Sequence, residues 1–402
     1  MTNFIFRSDT MSFQSFKENH DAHIIQNYAR QPAAFVKGEG CKLWDMDGKE
    51  YIDFASGIGV LSVGHSHPVW VEAVTEQAGK LTHVCNLFYT EPGAKLAKKL
   101  CEISGLSAVF FANSGAESNE GLIKLARKYS KDKYGEGRST IITLNGSFHG
   151  RTMATLTATA QAHFHKHFDP FMPGFRYVPP NDFDALANQG DDVCAVLLEP
   201  IQGEGGVIPL DTEYVKQVAK LCEERDWLLM IDEVQTGIGR LGYWFGFQEL
   251  GVQPDAISFA KGVGGGIPLG GFIVSEKLRD VLGHGTHGTT YGGNPLCAAA
   301  GLATIEILES VLPQVAKKGE YMRTRIKEMN LPKVLEVRGK GLMIGIKIDG
   351  IPPAEINGKL LQAGLVGLTA GADALRFLPP LVISTEDIDA GLAIFEKVMK
   401  TL

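Results

Sequence analysis

Between residues 108 and 260 the chain alternates short, nearly unbroken apolar runs with stretches whose apolar residues recur at helical spacing. The runs are "AVFFANSG" (108–115), "TIITLNG" (140–146), "VCAVLLEP" (193–200), "WLLMIDE" (227–233) and "AISFA" (256–260), each closing in polar or glycine residues. Continuous runs of this length suit strands of a mostly parallel sheet covered on both faces by helices. In "AESNEGLIKLARKYS" (116–130), Leu122, Ile123, Leu125, Ala126 and Tyr129 form one apolar side, which predicts a helix directly after the first run. The ends of the chain read differently. "GCKLWDMDGKEYIDFAS" (40–56) predicts two alternating strands around an Asp47-Gly48 turn. From about 305 a long helical pattern leads to a strand over 341–348 and a final helix over 384–400, which Ser384 and Asp387 suit as a start. The expectation is an α/β fold: an N-terminal segment 1–60, a large unit 61–304 and a C-terminal unit 305–402, the two ends meeting in a smaller α+β domain.

Composition narrows the partners. The 402 residues are 44% hydrophobic and 21% charged, ordinary for a globular protein of two or three domains. A net charge of −7 argues against nucleic acid or an anionic membrane as main partner. No uninterrupted apolar run reaches the roughly 18–20 residues of a spanning helix. The N-terminus has no secretory pattern; residues 1–10 are expected to be loosely ordered, and Met11 is an alternative start. The six cysteines are scattered without a CxxC pair, which points to a reduced, cytoplasmic protein. "HSH" (65–67) and "HFHKH" (163–167) lack the ligand set of a zinc site, so no metal is expected. "GVGGG" (262–266) is not the GxGxxG of a dinucleotide loop.

In an open parallel sheet ligands sit beyond the carboxyl ends of the strands, and here five of those ends carry chemistry. Lys261 follows 256–260; Asp232, Val234 and Gln235 follow 227–231; Glu199 and Glu204 follow 193–198; Phe148, His149 and Arg151 follow 140–144; Ser114, Gly115 and Ala116 precede the helix. A lysine amine beside a carboxylate and a phosphate cradle suggests pyridoxal phosphate, with Lys261 as its Schiff-base lysine. Asp232 would hold a proton on the pyridine nitrogen. Val234 and Phe148 would press on the two ring faces, and the Gln235 amide would meet the phenolic oxygen. Backbone N–H groups of Ser114, Gly115 and Ala116 would receive the phosphate at the helix N-terminus. The glycines after Lys261 would turn the backbone sharply and keep the space open.

"FANSGAESNEGLIKLAR", "GSFHGRT", "LLEPIQGEGGV", "IDEVQTGIGRLG", "FAKGVGGGIPLGG", "HGTTYGGNPLCAAAG" and "LRFLPPL" together resemble the class III (subgroup II) aminotransferases of pyridoxal-phosphate fold type I, from about residue 27 to the C-terminus. "NLFYTEP" (86–92) and "DFASGIGVLSVGHSHP" (53–68) look more like the acetylornithine branch than the ornithine branch. The resemblance implies a mostly parallel seven-stranded sheet flanked by helices, plus the smaller domain built from both termini. It assigns Lys261 and Asp232 to catalysis, and Gly115, Ala116 and Phe148 to the cofactor. Thr290 matches a threonine reaching the phosphate from the other subunit, which implies a homodimer with shared sites. Arg151 and Thr289 match substrate positions, and Tyr28 would line the same end. "SGAESNE" departs mildly from the family's usual pattern at Ser118.

The implied reaction moves the terminal amine of N2-acetylornithine to 2-oxoglutarate, giving N-acetylglutamate 5-semialdehyde and glutamate, a step of arginine biosynthesis. One pocket then meets two different reacting carbons, one with a carboxylate and one without. A permanently bare arginine would be a costly unpaired cation in one of the two half-reactions. The resemblance implies a switch: Arg376 pairs with Glu204 when the ω-amine donor is bound and is freed for the α-carboxylate of glutamate. Arg151 would hold the distal carboxylate of either substrate. Ornithine, succinylornithine, succinyldiaminopimelate and 4-aminobutyrate transamination stay open, as does a non-catalytic binding protein on the same fold.

Overall fold

The apolar runs become the buried strands of one sheet. A computed structural model describes residues 12–402, so the expectations for residues 1–10 and Met11 lie outside the described residues. The strands are β1 (Ala108–Ala112), β2 (Thr140–Leu144), β3 (Phe175–Val178), β4 (Val193–Leu198), β5 (Leu228–Asp232), β6 (Ala256–Phe259) and β7 (Gly270–Val274). They form a seven-stranded sheet in the order β1-β7-β6-β5-β4-β2-β3. β7 runs antiparallel to β1 and β6, and every other pairing is parallel. Every residue of β2, β4, β5, β6 and β7 is buried, which is why these runs carry no alternation.

Two strands escaped the sequence pattern. β3 lies on the sheet edge and exposes Arg176 and Tyr177, so it has no continuous apolar run. β7 begins with Gly270 and Gly271, which read as loop. The predicted helix is longer than expected, Gly115–Tyr134, and packs across β6 and β7 through Leu122, Ile123, Leu125 and Ala126. Burying a side chain of this size contributes roughly 1.5–3 kcal/mol, so tertiary packing holds this helix more than propensity does.

The two ends of the chain do share a sheet. Strands Phe35–Glu39, Lys42–Asp45 and Glu50–Asp53 form a meander, and Leu365–Val366 joins its last strand in parallel. The Asp47-Gly48 turn is held by Asp45, whose Oδ1 accepts the N–H groups of Asp47 and Lys49. A second, four-stranded antiparallel sheet comprises Val334–Lys340, Met343–Ile348, Ala374–Phe377 and Leu368–Ala370. The last helix is Thr385–Met399, and its Ser384 cap accepts the N–H of Asp387.

The long helical pattern begins earlier than 305. It is one helix, Pro295–Glu328, and the 304/305 division falls inside it. An 18-residue window of this helix reaches a mean hydropathy of 1.5, long and apolar enough to cross a membrane by composition, although no uninterrupted apolar run occurs in it. It packs against the helices Pro68–Lys80 and Glu91–Ser104 and buries Ala298, Ile305 and Leu308, as a core helix does.

Candidate active site

The parallel strands deliver their carboxyl ends to one cavity of about 450 Å³. Its lining includes Ser114, Gly115, Ala116, Phe148, Arg151, Glu204, Asp232, Val234, Gln235 and Lys261. These ten expected residues therefore meet in space. Thr289 lies at the margin, its Oγ1 accepting from Asn113 at 3.3 Å. Arg376, buried in the C-terminal sheet, is not part of the lining but bonds to Glu204 and Gln235, which are. Thr290 is exposed and lies outside the cavity lining. Tyr28 is 71% exposed on an irregular segment and does not border the cavity within this chain.

Asp232 ends β5 with only 4% exposure, in a complete set of donors. Asn119 Nδ2 donates to its Oδ2 at 2.7 Å, and His149 Nδ1 lies 2.8 Å from the same oxygen. Val234 N–H donates to Oδ1 at 3.0 Å. Burial pushes this carboxyl up, but the His149 contact and the two N–H donors outweigh it and hold it below its ordinary range. Asp232 is thus an ionised carboxylate at the cavity wall. Nearby Glu199 goes the other way: burial and the Asp232 charge raise it to about 7. Its oxygens accept the N–H groups of Phe148 and Gly203.

Lys261 opens a short 3-10 turn directly after β6 with φ of +45°, a left-handed conformation that costs a non-glycine residue about 1–3 kcal/mol. Burial lowers its amine below the usual lysine range, against the opposing pull of Glu204 and Asp232. The glycines that follow turn the backbone, with φ of +58° at Gly265 and +116° at Gly266, and Gly262 and Gly264 also meet close protein neighbours. A Cβ at Gly262 would lie 2.4 Å from Ser62 Oγ, and one at Gly264 2.0 Å from the Ile267 carbonyl oxygen. They let the turn pack against protein; of this run only Gly266 lines the cavity.

Ser114 caps the helix Gly115–Tyr134, its Oγ accepting from Glu117 N–H at 3.2 Å. Gly115 and Ala116, whose N–H groups take no part in this cap, line the cavity, with the positive end of a 20-residue helix behind them. A Cβ on Gly115 would sit 2.6 Å from Val234 Cγ1, so only glycine allows the helix end to close on the β5 loop. Ser118, the departure in the motif, is buried and donates to the carbonyls of Ser114 (2.7 Å) and Phe259 (3.1 Å), tying helix to strand. These residues fit pyridoxal phosphate: an anion cradle, an ionised carboxylate and a desolvated lysine amine border one cavity.

Arg376, 2% exposed, places Nη1 2.6 Å from Glu204 Oε1 and 3.1 Å from Gln235 Oε1. Burial pushes the Glu204 carboxyl up, but Arg376 brings it below its ordinary value. The bond from Arg376 engages the Gln235 amide oxygen and leaves its NH₂ group to donate elsewhere. Arg151 stacks its guanidinium 3.9 Å from the Phe164 ring centroid, which braces the fork at the cavity rim.

Asn119 was missed by sequence reasoning, and His149 was noted without its contact to Asp232. A polar Asn119 beside Leu122 and Ile123 on a buried helix face was the available signal. Among the described residues, no group of three or more His, Cys, Asp or Glu side chains is placed to hold a metal.

Residues 24–399 match the family model described as aminotransferase class-III. An acetylornithine aminotransferase of Haemophilus ducreyi is 48% identical over 396 residues, spanning 98% of this chain and 100% of the relative. The ornithine aminotransferase of Toxoplasma gondii, which holds PLP at partial occupancy in its active site, superposes with a TM-score of 0.94 at 31% identity, covering 98% and 95% of the two chains. The acetylornithine aminotransferase of Elizabethkingia anophelis gives a TM-score of 0.87 at 32% identity over 98% and 100%. The chain belongs to the class-III aminotransferases.

Proposed function

We propose that this protein is a pyridoxal-phosphate-dependent transaminase that moves the terminal amine of N2-acetylornithine to 2-oxoglutarate. Family membership implies the cofactor, and relatives at 43–48% identity bear the name acetylornithine aminotransferase. The observation that carries the reading is the pairing of buried Arg376 with half-buried Glu204 beside Lys261.

When bound, the cofactor supplies an electron sink for the substrate's reacting carbon. The chain supplies the rest. The N–H groups of Ser114, Gly115 and Ala116 would hold the phosphate, and Asp232 would keep the ring nitrogen protonated. Val234 and Phe148 would flank the ring, and the Gln235 amide would donate to the phenolic oxygen. The lowered amine of Lys261 increases the neutral fraction near neutral pH. Its Nζ would accept the proton of the substrate's reacting carbon and give it back, a general acid–base role typically contributing about 10²–10⁴-fold. Arg151 and Thr289 hold the distal end of the substrate. With the ω-amine donor, Glu204 neutralises Arg376; with glutamate, Arg376 turns to the α-carboxylate.

The working unit is a cytoplasmic homodimer, with Thr290 reaching the partner's phosphate site. Exposed Leu87 and Phe88 support a covering partner, and six free cysteines support a reducing compartment. The test is a panel of amine donors with 2-oxoglutarate, following glutamate formation. N2-acetylornithine is expected to give the highest kcat/KM. A tenfold preference (on the order of 1.4 kcal/mol) for ornithine or 4-aminobutyrate would overturn the substrate.

A further inference from the structure

The loop that carries Glu204 is saddled across the C-terminal sheet. In that sheet Arg338, Gly345 and Arg376 are direct cross-strand partners, one row over three adjacent strands. Side chains in such a row project to the same face. The two arginines grip the loop at either side of the glycine. Arg376 takes the Glu204 carboxylate, and Arg338 donates from both Nε (3.0 Å) and Nη2 (2.7 Å) to the Gly206 carbonyl oxygen. Val207 fills the place a Gly345 side chain would take: a Cβ there would lie 2.8 Å from Val207 Cβ. Gly371 N–H adds a 2.9 Å bond to the Glu204 carbonyl.

The held conformation is not a relaxed one. Gly206 has φ of +119° and Val207 has φ of +58°, an outlier for a β-branched residue. Such backbone persists only when its surroundings over-determine it. Arg338 is well placed to do so: its side chain is 13% exposed, and Glu336 orients it by accepting from Nη1 at 2.8 Å. Nε and Nη2 both donate to Gly206 O.

We infer that Arg338 is a positioning residue for substrate discrimination: by clamping Gly206 O it holds the strained loop so that Glu204 meets Arg376. Arg338 touches neither substrate nor cofactor site and acts through Glu204. Without the clamp the loop relaxes, Glu204 withdraws, and Arg376 stands bare. A bare Arg376 favours glutamate, which brings a carboxylate, and penalises the ω-amine donor, which brings none. This inference rests on the proposed use of the Glu204–Arg376 pair.

The test compares kcat/KM of the holoenzyme for N2-acetylornithine and for glutamate in wild type, Arg338→Met, Arg338→Lys, Glu204→Ala and Glu204→Ala/Arg338→Met. In Arg338→Met the acetylornithine-to-glutamate ratio is expected to fall about tenfold, through a higher KM for acetylornithine with kcat within about twofold. Arg338→Lys, which keeps the charge but not the fork, is expected to fall about threefold. The double variant should match Glu204→Ala alone, because Arg338 acts only through that carboxylate. A role in general stability would instead lower both half-reactions together. If Glu204→Ala leaves the ratio unchanged, the reading of the pair falls, and this inference with it. If Glu204→Ala moves the ratio but Arg338→Met does not, or the two effects add, the inference alone falls. Should Arg338→Met fail to fold, an unchanged ratio in Arg338→Lys overturns it.

Discussion

Gly115→Ala tests the contact on which the cofactor cradle depends. The new methyl would lie 2.6 Å from Val234 Cγ1 and 2.9 Å from Cγ2. Carbon atoms in contact prefer about 3.5–4.0 Å, so the helix end or the β5 loop must move by about 1 Å. Either displacement falls on the proposed ligand: the first withdraws N–H groups from the phosphate, the second lifts Val234 from the ring. Overpacking of this kind costs about 1–3 kcal/mol, which corresponds to about 5- to 150-fold in affinity. The assay is titration of the apoprotein with pyridoxal phosphate, followed by its absorbance, in wild type, Gly115→Ala, Val234→Ala and the double variant. Val234→Ala removes both Cγ atoms and leaves Cβ at 3.4 Å, an ordinary contact. In that background Gly115→Ala should therefore cost less than about twofold. Unchanged affinity in Gly115→Ala, or the same loss with and without the Val234 methyls, refutes the reasoning.

Lys261→Ala is expected to abolish glutamate formation from every amine donor, and normal turnover would remove Lys261 from the mechanism. Glu204→Ala leaves a buried guanidinium uncompensated and is expected to lower the acetylornithine-to-glutamate ratio of kcat/KM by about tenfold or more; equal losses in both half-reactions count against the switch. Burial raises the Glu233 carboxyl to about 7 from its ordinary 4.5. The folded chain therefore keeps a proton there that the unfolded chain has lost, so this contribution is full below about pH 4.5 and is lost as pH rises through about 7. Glu233→Gln should narrow the difference in thermal midpoint of the apoprotein between pH 5 and pH 8, mainly by a gain at pH 8; an unchanged difference disproves the assignment.

Composition and local pattern carried the central layer of this protein. A strand buried on both faces must be apolar throughout, and four runs of that kind marked β2, β4, β5 and β6; the half-buried edge strand β1 showed as a fifth apolar run. The parallel arrangement then made Ser114, Phe148, Asp232 and Lys261 neighbours before any coordinates, because parallel strands end on the same side. Edge strand β3 and glycine-led β7 left no such mark, since one is half exposed and the other opens without side chains. The 34-residue helix was seen only from about 305, because its first turns, rich in Ala and Gly, carry little apolar contrast.

Other features came only from packing in three dimensions. His149 and Asn119 meet Asp232 across different elements, and no local spacing encodes their 2.7–2.8 Å contacts. Gly262 and Gly264 serve close contacts with Ser62 and Ile267 while Gly266 lines the cavity, a division that depends on where distant loops come to rest. Tyr28, which the family resemblance placed at the substrate end, stands in solvent in this chain, because nothing packs its segment inward. Arg338, Gly345 and Arg376 become one row only through strand register, a property of hydrogen-bonded partners rather than of neighbours in sequence. Residue chemistry is written in the chain order, whereas distances between charges arise when separate elements are packed together. For that reason the acid, the amine and the phosphate cradle could be named in advance, but not the grip that holds Glu204 against Arg376.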